Sequence, residues 1–177
     1  LSAETLGSTT VICTDKTGTL TEGIMHVSQI ITLNHDFSTE QNETPINKDS
    51  VESFIFALKI GMLCNDAFVE NEGEDLKSWK MAGGNPTERA LLNAGVKLGL
   101  RKSELEKQYK RIDEIPFDSK IKYMATLHHY SEEQNMILVK GAPEKILEMS
   151  KHVDDNGKKV KMTPQKKKNF EKTFEQL

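Results

Sequence analysis

The sequence is short of most features that would take it out of the class of soluble globular domains. It holds only two cysteines, Cys13 and Cys64. Neither has a second thiol at ligand spacing, so neither a disulfide framework nor a thiolate metal site is expected. Both lie in apolar runs and read as small buried hydrophobes of a reducing compartment. No stretch approaches the ~18 uninterrupted apolar residues that would span a bilayer, and no secretory signal opens the chain. Neither sign of charge dominates: the net charge is −3, which gives no reason to expect nucleic acid or an anionic membrane as a partner. Internal repeats and low-complexity tracts are absent too. What remains is 177 residues, 36% hydrophobic and 29% charged, long enough to bury a real core in one or two domains.

The stretch around which the rest is organised is Thr9 to Thr21. Its run Val11-Ile12-Cys13 is rich in apolar and β-branched residues and stops at Asp15, which predicts a buried strand with its carboxyl end at that aspartate. In open α/β sheets chemistry collects just beyond such an end. Lys16 sets a cation beside Asp15, Gly18 permits a tight turn, and Thr17, Thr19 and Thr21 add hydroxyl donors. A carboxylate among donors and a cation suits in-line attack on a phosphoryl group, a reaction that is mostly positioning and charge stabilisation. A plain strand and glycine turn with solvated side chains is the alternative for these residues taken alone.

The remaining chain predicts a mixed α/β (α+β) pattern. Ile24 to Leu33 is a strand candidate, and Asn34 to Asp49 a polar surface connection. Ser50 is placed to cap a helix to about Cys64, with Val51, Phe54, Ile55, Leu58, Met62 and Leu63 on one face. Asn65 to Asp75 reads as an acidic solvated loop, and 76–82 as a short strand holding Trp79. Asn85 as N-cap, Pro86 at the first helical position and Glu88 three residues after the cap predict a helix that ends near Gly99. A second short helix is expected from Ser103, with Glu106 completing its cap. The period then changes to two: Ile112 to Pro116, Tyr123 to His129 and Asn135 to Lys140 read as strands, the last two a hairpin closed by Ser131 to Gln134. Gly141-Ala142-Pro143-Glu144 opens a helix to about Ser150. Asp154 to Gly157 reads as a turn, and Thr163-Pro164 starts a last helix lined by Phe170, Phe174 and Leu177. The basic segment Lys158 to Lys168 lacks interleaved aromatics and reads as a solvated face.

Asp15-Lys16-Thr17-Gly18-Thr19-Leu20-Thr21 resembles the phosphorylation motif of P-type cation-transporting ATPases, and Glu4-Thr5-Leu6-Gly7 resembles that family's lead-in from the membrane stalk. The resemblance implies that Asp15 accepts the γ-phosphate of ATP while Lys16 and Thr19 stabilise the transferring group. It further implies that Mg²⁺ bridges the phosphate, Asp15 and the main-chain carbonyl of Thr17. The motif is also similar to that of haloacid dehalogenase phosphatases, which carry a second Asp where this chain has Thr17. A threonine cannot activate water at neutral pH, so an aspartyl-phosphate formed here should persist, as suits a pump.

Three further stretches resemble the nucleotide-binding domain of the same ATPases. Gly84-Asn85-Pro86-Thr87-Glu88 is similar to a Gly-Asp-Pro-Thr-Glu motif, which implies that Glu88 accepts from the adenine amino group, in competition with its capping role. Ile115-Pro116-Phe117-Asp118-Ser119 through Lys122 implies that Phe117 stacks on the base and Lys122 approaches the phosphates. Calcium pumps carry Arg where this chain has Ser119, and Lys120 is the available substitute. Lys140-Gly141-Ala142-Pro143-Glu144 matches the family motif throughout, which implies that Lys140 lines the adenine pocket and Gly141 lets backbone approach the base.

The implied fold has two parts. Residues 1–21 would be a strand and loop of a haloacid-dehalogenase-like, Rossmann-type phosphorylation domain, and 22–177 a nucleotide-binding domain built on a twisted antiparallel sheet flanked by helices. The implied protein is a cytoplasmic piece of an ATP-driven cation pump at a membrane face. Its cofactors would be ATP and Mg²⁺, and its partners the pump's remaining phosphorylation, actuator and membrane domains. The motif set and Cys64-Asn65-Asp66 lean toward pumps of the calcium or sodium–potassium type, with calcium slightly ahead. A free-standing phosphatase and a non-catalytic module binding a protein partner are the alternatives.

Overall fold

In the computed structural model, the structure describes residues 7, 10, 11, 13–34, 36–38, 48–73 and 78–176. Its elements are helices and antiparallel strands. The helices are α1 (Lys48–Leu63), α2 (Pro86–Lys97), α3 (Lys102–Gln108), α4 (Pro143–Met149) and α5 (Pro164–Gln176). The strands are β1 (Gln29–Ile31), β2 (Asp36–Ser38), β3 (Ala67–Glu70), β4 (Lys80–Gly83), β5 (Arg111–Asp118), β6 (Tyr123–Ser131), β7 (Gln134–Gly141), β8 (His152–Asp155) and β9 (Lys158–Lys161). Among the described residues they pair as three two-stranded ribbons and one three-stranded sheet in the order β5-β6-β7.

The three-stranded sheet shows why a period of two builds one wall of a core. Met124, Thr126 and His128 of β6 and Leu138 of β7 point inward and are buried, joined there by Met62, Leu63, Cys64, Leu92, Val96 and Leu105. Residues i, i+2 and i+4 of a strand share a face, so alternate positions of β6 supply one buried surface, on which Met124 and Leu138 pack with side chains of α1, α2 and α3. The buried His128 satisfies both ring nitrogens, at 2.9 Å from the Tyr109 carbonyl and 2.9 Å from Thr126 Oγ1. A carbonyl can only accept, so Nδ1 carries a proton, and in the neutral ring Nε2 accepts from the hydroxyl.

α2 begins as its residues dictate. Asn85 Oδ1 accepts from the Glu88 N–H at 3.0 Å, and Glu88 Oε2 accepts from the Asn85 N–H at 2.9 Å, a reciprocal cap with Pro86 just inside. The helix closes at Gly99, where φ is +82° and the Gly99 and Leu100 N–H groups donate back to Val96 and Gly95. That left-handed residue is one that glycine adopts without steric penalty.

Several expectations are corrected. Val11 and Cys13 to Asp15 form no strand; Val11 is 73% exposed, and Cys13 is exposed rather than buried. A strand exists only with a hydrogen-bonded neighbour, and among the described residues none lies beside this run. The strand expected over Ile24 to Leu33 narrows to Gln29–Ile31, which pairs with Asp36–Ser38 inside the expected surface connection. There Phe37 packs on Phe54 of α1 at 4.6 Å between ring centroids. Ser50 lies within α1, not before it. The acidic loop from Asn65 contains β3, which pairs with β4 in the register Ala67↔Gly83 to Glu70↔Lys80. α3 starts at Lys102 without a side-chain cap: Ser103 Oγ donates to Glu72 and Glu106 faces Lys102. The turn at Asp154 to Gly157 is the tip of the β8–β9 hairpin, with Asn156 and Gly157 both at positive φ, as such tight turns require. Leu177 and the lead-in Glu4 to Leu6 lie outside the described residues, as do the side chains of Thr17 and Val51.

Candidate nucleotide site

The site is assembled where α2 begins and β7 ends. Glu88 is 3% exposed, yet it is a carboxylate. Its Oε1 accepts from Lys140 Nζ at 2.8 Å and from the Asp66 N–H at 3.3 Å, and its Oε2 accepts from the Asn85 N–H. Burial pushes the Glu88 carboxyl up, but the hydrogen bond from Lys140, the Asn85 amide, the Lys140 charge and the Asp66 amide outweigh it and hold the group below its usual range. It is therefore ionised at neutral pH, and Lys140 is held in place with only 22% of its side chain exposed.

The loop before α2 is shaped to this carboxylate. Gly84 has φ of +52°, and a side chain there would put Cβ 2.7 Å from Glu88 Oε2 and 2.8 Å from the Ala67 nitrogen. Arg89 Nη1 donates to the carbonyls of Gly83 and Gly84 at 3.0 and 2.9 Å, which pins the two-glycine turn from outside.

Lys140 sits one residue from a second close approach. Gly141 pairs with Tyr123, which pairs with Asp118, so one row of the sheet carries the ends of all three strands. A Cβ on Gly141 would stand 2.5 Å from Tyr123 Cβ and 2.6 Å from the Lys122 carbonyl oxygen. That leaves room for hydrogen alone, and gives Gly141 a packing role within the fold. Lys122 itself adopts φ of +60°, closes a turn onto the Asp118 carbonyl at 2.7 Å, and pairs with Glu144 of α4 at 3.0 Å. The Lys120 N–H donates to Asp118 Oδ1 at 2.7 Å. Phe117 lies one residue before Asp118 and is 58% exposed. Phe117, Lys122, Lys140, Gly141 and, across the ion pair, Glu88 thus gather at one end of the three-stranded sheet.

Asp15, Lys16 and Thr19 are not part of that gathering. They are exposed, in and beside a single wide turn, Lys16–Leu20, that the Thr21 N–H closes onto the Lys16 carbonyl at 3.1 Å. Gly18 at φ +80° lets that turn form. Among the described residues no hydrogen bond or ion pair joins these three to the Glu88 group. The segment before β1 touches α2 where the Thr87 hydroxyl lies 3.6 Å from Met25 Sδ. No cluster of three or more His, Cys, Asp or Glu side chains able to hold a metal occurs among the described residues. No helix among them is long and apolar enough to cross a membrane. A separate cavity of about 470 Å³, bounded by Glu52, Ile55, Phe56, Lys59, Asp154 and Gly157, lies between α1 and the β8–β9 hairpin, away from Glu88.

Sequence reasoning missed Asn65 and Lys102, both buried polar residues behind Glu88. In the sequence Asn65 reads as the start of an acidic solvated loop and as part of the Cys64-Asn65-Asp66 run, and a buried lysine leaves no sequence signal.

The pattern of the family described as P-type ATPase, cytoplasmic domain N, matches residues 53–177. This chain belongs to that family. The mixed helices and antiparallel strands of the N domain described above accord with it. Over 157 residues the chain is 40% identical to calcium-transporting ATPase 1 of Bacillus cereus (strain ATCC 10987 / NRS 248), covering 89% of this chain and 16% of the relative. It is 38% identical over 164 residues to calcium-transporting ATPase lmo0841 of Listeria monocytogenes serovar 1/2a, covering 92% and 17%. Cation-transporting ATPase pma1 of Synechocystis sp. is 36% identical over 163 residues, covering 83% and 17%. The N domain and its leading segment therefore span about one sixth of the length of these curated relatives.

Proposed function

We propose that this chain is the ATP-binding part of an ATP-driven cation pump, with residues 22–177 as its nucleotide-binding domain and residues 1–21 as a phosphorylation-domain segment that carries the Asp15 loop. The observation that carries the reading is the largely buried Lys140 ammonium, fixed by Glu88 at the sheet end that also presents the open ring of Phe117. An aromatic face and preset cations suit an adenine nucleotide: the ring stacks on the base, Lys140 lines the pocket, and Lys122, more exposed, faces the phosphates. Glu88 is occupied by three protein donors. Its first duty is to hold Lys140, and any hydrogen bond from the adenine amino group would fall on its remaining acceptor capacity.

The chemistry assigned to the parent pump is transfer of the γ-phosphoryl group to Asp15. An Asp15 carboxylate oxygen bonds to the γ-phosphorus, the bond from that phosphorus to the β,γ-bridging oxygen breaks, and ADP leaves with the electron pair. Lys16 and Thr19 supply charge and a hydroxyl beside the reacting oxygens. Asp15 and the Thr17 carbonyl offer Mg²⁺ two hard oxygen ligands of its usual six, which fits an ion that arrives on ATP phosphates and keeps several waters. With calcium-transporting relatives at 40% and 38% identity, calcium is the cation favoured, carried across a membrane whose cytoplasmic face this domain would serve.

The test is a titration of ATP into the 177-residue chain, followed by backbone chemical shifts. Binding of roughly 4–6 kcal/mol, millimolar to tens of micromolar, is expected, with shifts near Phe117 and Lys140. Phe117→Ala should weaken it by about 1–3 kcal/mol, the typical worth of a base–aromatic stack. A loss under about threefold, or shifts confined to the cavity beside Phe56, would exclude this pocket.

A further inference from the structure

One layer behind the Glu88–Lys140 pair sits a second buried ammonium. Lys102, the first residue of α3, is 7% exposed and donates to the main-chain carbonyls of Asn65 and Ala67, at 2.7 Å each. Glu106, one turn on, lies 3.5 Å away. Lysine is almost never buried unless paired, and the first turn of a helix is the end that disfavours a cation. Burial does depress the Lys102 pKa, against the opposing pull of Glu106. The placement therefore works against the local preferences of α3, and what it secures lies elsewhere.

What it secures is the backbone on either side of Asp66. The Asp66 N–H is one of the donors to Glu88 Oε1. Asn65, wholly buried, grips the same segment from the opposite side: Nδ2 donates to the carbonyls of Gly61 and Glu88 at 2.8 and 2.9 Å, and Oδ1 accepts from the Ala67 N–H at 2.7 Å. Residues 65–67 are thus held by α1, α2 and α3 at once. Two cations tie this segment: the Arg111 guanidinium donates to Asp66 Oδ1 at 2.9 Å, and the Lys102 ammonium is the one that grips the backbone carbonyls on both sides of Asp66; charged hydrogen bonds are the stronger kind.

We propose that Lys102 is a positioning residue for the nucleotide pocket: by clamping the Asn65 and Ala67 carbonyls it sets the Asp66 N–H on Glu88, and through that carboxylate it sets Lys140. The assignment rests on the nucleotide-binding reading above and extends it to a residue that cannot itself reach a ligand.

Lys102→Met keeps most of the side-chain volume and removes the donors. Folded by circular dichroism, it should bind ATP about fivefold more weakly than wild type. In a Glu88→Gln background the same substitution should change affinity less than about twofold, because its effect runs through that carboxylate. Lys102→Arg keeps the charge but places a longer, planar and bulkier head in a buried site fitted to an ammonium, which shifts the two carbonyls, so it should lose about twofold to threefold. Equal losses in the two backgrounds, or unchanged affinity in folded Lys102→Met, would overturn the proposal. Should Lys102→Met not fold, unchanged affinity in Lys102→Arg would do the same. Were wild type itself not to bind ATP, the nucleotide reading would fall. The Glu88 carboxyl titration, followed by ¹³C NMR, would then decide this one: an unmoved Glu88 pKa in the Lys102 variants would sink it, and a rise would sustain it.

Discussion

Two carboxylates, Asp15 and Glu88, carry the chemistry assigned to this chain, and they live in opposite surroundings. Glu88 is buried, ionised and hydrogen-bonded by three donors from β7, the α2 cap and the residue before β3. Asp15 is exposed at the mouth of one turn, and its side chain makes no capping bond to that turn. The sequence motif around Asp15 is the sharper of the two, yet the structure around it is the sparser. A motif specifies chemistry by residue type and spacing; a packed environment needs partners from several elements, and only Glu88 has them among the described residues. The difference also separates two kinds of carboxyl group: one engaged in holding the fold, and one exposed, as the role proposed for Asp15 requires.

That contrast can be broken by removing each carboxylate in turn. Glu88→Ala should produce the largest effect, since it strips the α2 cap, frees the Asp66 N–H and leaves the half-buried Lys140 unpaired. A loss of about 2–4 kcal/mol in denaturant unfolding is expected, the low side of the cost of breaking a buried pair because Lys140 is partly exposed. A loss below about 1 kcal/mol would mean that the pair is relaxed by water.

The same carboxylate should give the domain an acid limb. Glu88 has a folded pKa below its unfolded one, so the stability it contributes is present above the unfolded glutamate range and disappears as pH falls through the lower folded value. The urea midpoint should fall on acidification, and Glu88→Gln should flatten that fall. An unchanged slope in Glu88→Gln would place the acid sensitivity elsewhere. Asp15→Asn completes the comparison with the smallest effect: a stability change within about 0.5 kcal/mol, as for other exposed sites. A larger change would reveal packing around the loop that its exposure denies.

How much of this was legible in the sequence depended on whether a signal was local. The reciprocal cap of Asn85 and Glu88 was readable because all its parts lie within four residues, and the β6–β7 hairpin because alternation and a turn lie side by side. β3 was hidden because Ala67-Phe68-Val69-Glu70 is too short for a period, and its partner β4 begins ten residues after it ends. The flanks of the Asn156-Gly157 turn were hidden by polarity, since His152 to Asp155 and Lys158 to Lys161 offer one valine each. The run at Val11 failed in the other direction: β-branched residues favour a strand, but pairing requires a neighbour that composition does not report. Within the candidate site, Glu88, Lys140 and Gly141 are singled out by motif resemblance, and the structure joins the first two in an ion pair. Lys102 was beyond reach, because nothing in Arg101-Lys102-Ser103 distinguishes a buried ammonium from a solvated one.

Glu88 and Lys140 are 52 positions apart in the chain. Their contact closes a long loop between α2 and the end of β7, whose entropy must be met before the contact rewards folding, and we expect it among the later events of folding. A ligand that needs Lys140 in place would therefore recognise only molecules that had finished folding, and its binding could serve as a clock for the last step of refolding.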